Sequence, residues 1–195
     1  MKSYKTLPDG YNQIFAVNLQ KDKSKVVLIN VAALLITLVM AIPMHFHISF
    51  FTIFDMSNGF GAYALRFLVL LAGIFAYIVL HELVHGVSMK ICGTDKVKYG
   101  FTGIYAFAGS DDYYTKKSYI FIALAPVVVW GVILAVINAF VSETWFWIVY
   151  IIQISNISGA AGDLYVTVKF LKFPSDILVH DNGVSMEVFS KEIEL

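Results

Sequence analysis

The chain has 195 residues, of which 58% are hydrophobic and only 14% are charged, and its formal net charge at pH 7 is zero. Soluble proteins average about 45–50% apolar and about 25% charged residues, so this composition excludes a disordered chain and argues against an ordinary soluble domain. A chain without net positive charge is not expected to bind nucleic acid. The single cysteine, Cys92, excludes a disulfide framework and a cysteine-based zinc cluster.

Four apolar segments are long enough to cross a bilayer as helices, which takes about 20 residues. These segments are residues 26–44, 62–89, 119–141 and 145–170. The first has no charged side chain, the second becomes polar at His81 and Glu82, and the fourth contains Asn156 and Asp163. The sequence therefore predicts an all-α membrane protein with four transmembrane helices.

The remaining segments flank or connect these spans. We expect a cytoplasmic N-terminal segment over residues 1–25, a membrane domain over 26–171 and a cytoplasmic C-terminal tail over 172–195. Glycines and aromatic residues over 97–109 favour a small β-hairpin. An Asn-Gly pair favours a second hairpin over 177–189, and both hairpins are expected in the cytoplasm.

The basic residues lie almost entirely on one side of the predicted spans. Lysines precede the first span, occupy the loop between the second and third spans, and end or follow the fourth, whereas the other side has only Arg66. Lysine and arginine are enriched in cytoplasmic loops of membrane proteins. We therefore expect a multi-pass protein of the cell membrane with both termini in the cytoplasm.

His81, Glu82 and His85 form the pattern H-E-x-x-H within the second span. Residues four apart lie on one face of a helix, so the two imidazoles can bind one zinc ion while the glutamate acts on water. Polar groups at membrane depth are costly, and they are therefore usually functional. The pattern predicts a zinc site with His81 and His85 as ligands and Glu82 as the catalytic base.

A catalytic zinc usually has three protein ligands, so a third is needed. The candidates are His45, His47, His180 and the acidic residues. The second and fourth spans both run inward and end in the cytoplasm. Asp163 lies six residues before Lys169 and His85 lies five before Lys90, so Asp163 and His85 lie at nearly the same depth. His45 and His47 follow the first span on the opposite side, and His180 lies beyond the last span, which makes Asp163 the favoured ligand.

Asn156 precedes Asp163 by seven residues, which is about two helical turns, so both face the same way. The intervening residues are small, and small residues let helices approach closely. The spacing predicts close packing of the fourth span near the two histidines, and a substrate contact for Asn156.

This arrangement resembles the site-2 protease family of intramembrane zinc metalloproteases, and it is similar to small bacterial membrane proteins described as "putative zincin peptidases". The resemblance implies that the second to fourth spans form a site-2-protease-like core. It also implies that His81, His85 and Asp163 bind zinc, and that Glu82 is the general base. The family motif N-x-x-P-x-x-x-L-D-G is only partly present, because its proline is missing and a glycine precedes the aspartate.

The sequence thus predicts a zinc-dependent intramembrane or membrane-surface peptidase that cleaves a membrane protein or peptide near the cytoplasmic leaflet. The alternative is a non-catalytic membrane protein that binds a metal or a partner with the same helical core.

Overall fold

The computed structural model describes residues 2–18, 20–103 and 105–191, and every structural statement below refers to them. The helices are α1 (Lys23–His47), α2 (Gly59–Ile91), α3 (Lys116–Phe140), α4 (Glu143–Gly159) and α5 (Ala161–Leu171), with a 3-10 helix at Phe50–Phe54. The strands are β1 (Ser3–Tyr4), β2 (Asn12–Asn18), β3 (Lys98–Phe101), β4 (Ala106–Gly109), β5 (Tyr113–Thr115), β6 (Leu178–Asp181) and β7 (Ser185–Ser190).

The chain divides into two compact units. The first unit consists of the described residues of Met1–Leu28, His81–Pro126 and Gly162–Leu195, and the second consists of Ile29–Leu80 and Val127–Ala161. Every lysine of the chain belongs to the first unit, and its one arginine, Arg66, belongs to the second. The uneven distribution of basic residues along the sequence therefore follows the division into two units.

Three helices, α1, α2 and α3, are long and apolar enough to cross a membrane. Their exposed faces are rich in valine, leucine, isoleucine and phenylalanine, and α1 has no buried residue at all. Soluble proteins rarely expose continuous apolar surfaces of this kind. These helices indicate a membrane protein and agree with the first three predicted spans.

The prediction of one continuous helix over 145–170 is wrong. Helix α4 has 17 residues and α5 has 11, and they are separated at Ala160, whose ψ of 16° leaves the helical range. Gly159 and Gly162 flank this position, and glycine is a poor helix former. Asp163 consequently lies in the first turn of α5, where the helix dipole favours a negative side chain.

The all-α prediction also needs correction, because the first unit contains a five-stranded antiparallel sheet in the order β1-β5-β6-β7-β2. Its β6–β7 hairpin confirms the one predicted over 177–189, and the separate β3–β4 hairpin confirms the one predicted over 97–109. The N-terminal segment contributes β2, which pairs with β7 from Asn12–Ser190 to Asn18–Ser185. The polar ends of the chain, together with β5, thus form a sheet.

The sheet packs on a hydrophobic core within the first unit. Tyr114, Val179, Val188 and Phe170 are fully buried in it. The Phe170 ring lies 5.4 Å from the Tyr119 ring, so α5 is held by its apolar face against the start of α3. This packing fixes the helix that carries Asp163.

Candidate metal centre

Three side chains with metal-binding atoms converge in the first unit. His81 and His85 lie one turn apart on α2, and the Nε2 atom of each is 3.7 Å from Oδ2 of Asp163 on α5. One ligand atom from each residue lies within 4.8 Å of those of the other two. Of the described residues, only these form such a group of histidine, cysteine, aspartate or glutamate side chains.

The donor set, and the distances from its carboxylate to the two imidazoles, fit a zinc ion. Two ligand atoms about 2.1 Å from a tetrahedral zinc are separated by about 3.4 Å, which is close to the observed 3.7 Å between each imidazole nitrogen and the carboxylate oxygen. Two histidines and a carboxylate are also an established ligand combination for a catalytic zinc with an open position. His81 and His85 are only 8% and 9% exposed, and buried polar groups of this kind require partners.

The second ring nitrogen of His85 contacts the backbone of α3. Nδ1 lies 2.9 Å from the carbonyl oxygen of Ile122. A carbonyl oxygen can only accept a hydrogen bond, so Nδ1 carries the proton and Nε2, the atom facing Asp163, keeps its lone pair. The ring of His85 is thereby oriented for metal binding.

The β3–β4 hairpin lies against the face of α2 that carries Glu82. The backbone of Ala108 lies near the Glu82 carboxylate, and Tyr99 is the cross-strand partner of Ala108. A Cβ atom at Gly86, one turn after Glu82, would overlap the Tyr99 hydroxyl. Sequence analysis missed Tyr99 and Ala108 here, and the glycine immediately after H-E-x-x-H was the signal of this close approach.

Asn156 lies in the second unit. It is fully buried, its Nδ2 donates to the carbonyl of Val127 at 3.1 Å, and its Oδ1 accepts from the Tyr77 hydroxyl at 3.2 Å. Both ends of the amide therefore stabilise packing among α2, α3 and α4. The predicted substrate contact of Asn156 remains a prediction.

The other histidines lie in different surroundings. His45 Nδ1 accepts from the Phe50 N–H at 3.0 Å, which closes the turn after α1. His180 stacks on Tyr113 with ring centroids 5.0 Å apart, and its Nδ1 lies 3.3 Å from Oε2 of Glu187. His47 lies at the last position of α1 and is exposed. None of the three histidines belongs to the group of converging ligand atoms.

A further carboxylate, Asp181 at the end of β6, is held by hydrogen bonds within the first unit. The Tyr119 hydroxyl donates to its Oδ2, and the Gly183 N–H donates to its Oδ1 at 2.8 Å. Burial raises the pKa of the Asp181 carboxyl above its usual range. One of its oxygens is thus engaged by α3 and the other by the β6–β7 turn, and neither is among the converging ligand atoms.

Comparison with known proteins supports a zinc peptidase. A family described as "Putative zincin peptidase" matches residues 74–178, a range that includes His81, Glu82, His85 and Asp163. A protein of Pyrococcus woesei named "Uncharacterized 24.7 kDa protein in gap 5'region" is 30% identical over 115 residues, covering 56% of this chain and 50% of that protein. The chain thus spans about half the length of this curated relative. No solved structure matches the chain.

Proposed function

This chain belongs to the family described as "Putative zincin peptidase", and we propose that it is a zinc-dependent peptidase that cleaves a membrane protein or peptide near the cytoplasmic leaflet. The observation that carries the proposal is the convergence of His81, His85 and Asp163 within one compact unit. These three side chains are the proposed zinc ligands. The order of the proposed ligands along the helices resembles that of site-2 proteases, and we propose the same type of intramembrane proteolysis.

A zinc ion held by His81, His85 and Asp163 would act as a Lewis acid, polarising a peptide carbonyl and lowering the pKa of bound water towards about 7. Glu82 is the proposed general base. Its carboxylate takes a proton from the water molecule whose oxygen attacks the scissile carbonyl carbon, and it returns that proton to the amide nitrogen as the C–N bond breaks. The backbone of Ala108, which lies near this carboxylate, helps to hold it in place.

We place both termini and the zinc site on the cytoplasmic side of the cell membrane. The support is that all lysines belong to the first unit, which also contains the proposed ligands. Helices α4 and α5 together make the fourth crossing in this topology. Trp145 near the start of α4 fits an interfacial aromatic belt.

Single cysteines test this topology in a Cys92→Ser background. A membrane-impermeant maleimide added to intact cells should label Asn58→Cys, in the exposed turn before α2, but not Lys96→Cys in the exposed loop after it. Lys96→Cys should react only after the membrane is permeabilised, because the positive loop faces the cytoplasm. Labelling of Lys96→Cys in intact cells would contradict the proposed orientation.

Cleavage by the reconstituted protein tests the function. In liposomes that contain a mixture of single-span proteins tagged at both ends, we expect tagged fragments to accumulate. A zinc chelator should abolish cleavage, and added Zn²⁺ should restore it where Mg²⁺ does not, because nitrogen ligands favour zinc. If the zinc-loaded protein leaves every tagged protein intact, the non-catalytic alternative is correct.

A further inference from the structure

A proline in α3 determines how one proposed ligand is oriented. In an α-helix the N–H of each residue donates to the carbonyl four residues earlier, and proline has no N–H. Pro126 lies inside α3, so the carbonyl of Ile122 lacks its regular intrahelical donor. This is the carbonyl that contacts Nδ1 of His85 at 2.9 Å.

We propose that Pro126 is a positioning residue for His85, an inference that rests on the proposed zinc site. By removing the competing helical N–H, Pro126 leaves the Ile122 oxygen available for the imidazole. The hydrogen bond to the Ile122 carbonyl places the proton on Nδ1 of His85. Nε2, which lies 3.7 Å from Oδ2 of Asp163, then carries the lone pair that can bind a metal. Partners of this kind raise ligand basicity and fix the ring, and their loss typically lowers metal affinity about 10–100-fold.

The surroundings of this contact make the effect of the proline specific. His85 is 9% exposed, Ile122 is 2% exposed and Pro126 is fully buried, so water has little access to the Ile122 carbonyl. Any residue other than proline at position 126 would present an N–H to this oxygen from within α3. The histidine and the helix would then compete for one acceptor.

Helix α1 provides a matched control. Pro43 also lies inside a long apolar helix, and it likewise removes the N–H that would serve the carbonyl of Val39. Pro43 is exposed, and α1 has no buried residue. A substitution at Pro43 therefore also restores a helical N–H, but the carbonyl that would accept from it, that of Val39, is not the one that contacts a histidine.

Zinc affinity of the purified full-length protein tests the proposal, measured by competition with a chromophoric chelator. We expect Pro126→Val, which nearly preserves the side-chain volume, to weaken zinc binding about 10–100-fold, and Pro43→Val to leave it unchanged. The visible absorption of the Co²⁺-substituted protein should change in Pro126→Val alone, because the geometry of one ligand is altered. Equal zinc affinity in Pro126→Val and the wild type would overturn the proposal.

A second measurement reads the tautomer of His85 in the wild type and does not depend on the folding of Pro126→Val. In zinc-loaded protein with ¹⁵N-labelled histidine, the ring signals of His85, assigned by their loss in His85→Gln, should show a protonated Nδ1. A proton on Nε2 would contradict the proposed orientation. If neither the wild type nor Pro43→Val binds zinc, the proposed metal site itself fails, which is a distinct result from normal zinc binding by Pro126→Val.

Discussion

Glu82→Gln should retain bound zinc while the rate of peptide cleavage falls at least about 10²-fold, since positioned general bases contribute about 10²–10⁴-fold. Glutamine has nearly the same shape as glutamate, but its amide cannot take a proton from water at neutral pH. Glu82 is not among the converging ligand atoms, so the metal site should remain intact. The measurement is the initial rate of fragment formation in the reconstituted system, together with the zinc content of the same samples.

Glu187→Gln is the matched control for this experiment. Glu187 lies on β7 in the same unit and contacts His180, so its substitution removes a charge and one contact from the sheet while leaving the proposed site unchanged. We expect wild-type cleavage from this variant. A Glu82→Gln protein with full activity would overturn the proposed mechanism, whatever its zinc content.

Asp163→Ala should reduce the zinc content of the purified protein from about one equivalent to almost none. The change removes one of three proposed ligands, and two imidazoles on one helix cannot complete a tetrahedral protein site. The loss of zinc affinity should therefore exceed the roughly 10–100-fold loss that follows when a metal ligand loses its hydrogen-bond partner. Elemental analysis of protein purified without added metal provides the measurement.

Asp111→Ala controls for the loss of an aspartate as such. Asp111 forms an exposed ion pair with Lys98 in the same unit, and exposed pairs of this kind contribute little to stability, so this variant should keep its zinc. Wild-type zinc content in Asp163→Ala would remove the carboxylate from the ligand set. Absence of zinc from the wild type would contradict the assigned cofactor.

Local sequence patterns predicted several parts of this molecule. The apolar runs of α1, α2 and α3 are long enough, as helices, to cross a bilayer. Because a single segment can cross a bilayer only as a helix, composition and length were enough to predict these helices. His81 and His85 share a helix face because of the helical period, which required no knowledge of other segments. The Asn-Gly pair at Asn182 and Gly183 identified a hairpin for the same local reason, since Gly183 has a φ of +88°.

The break at Ala160 was missed because glycines in membrane helices usually serve packing. The run of small residues between Ser158 and Gly162 was read as a close-packing surface, but it also interrupts the helix and starts α5 just before Asp163. A continuous, closely packed helix and a helix broken at Ala160 would have the same small residues between Ser158 and Gly162. Only the backbone path distinguishes a continuous helix from a broken one.

The amino-acid sequence by itself determined the membrane character, the three long helices and the shared face of the two histidines, because each depends on residues close together in the chain. Tertiary structure alone decided the pairing of β2 with β7, the close approach of Tyr99 to Gly86 and the contact of His85 with Ile122. Each of these joins segments distant in sequence. Such contacts form only when the folding of the whole first unit offsets the entropy of bringing the segments together, and no local pattern encodes that balance.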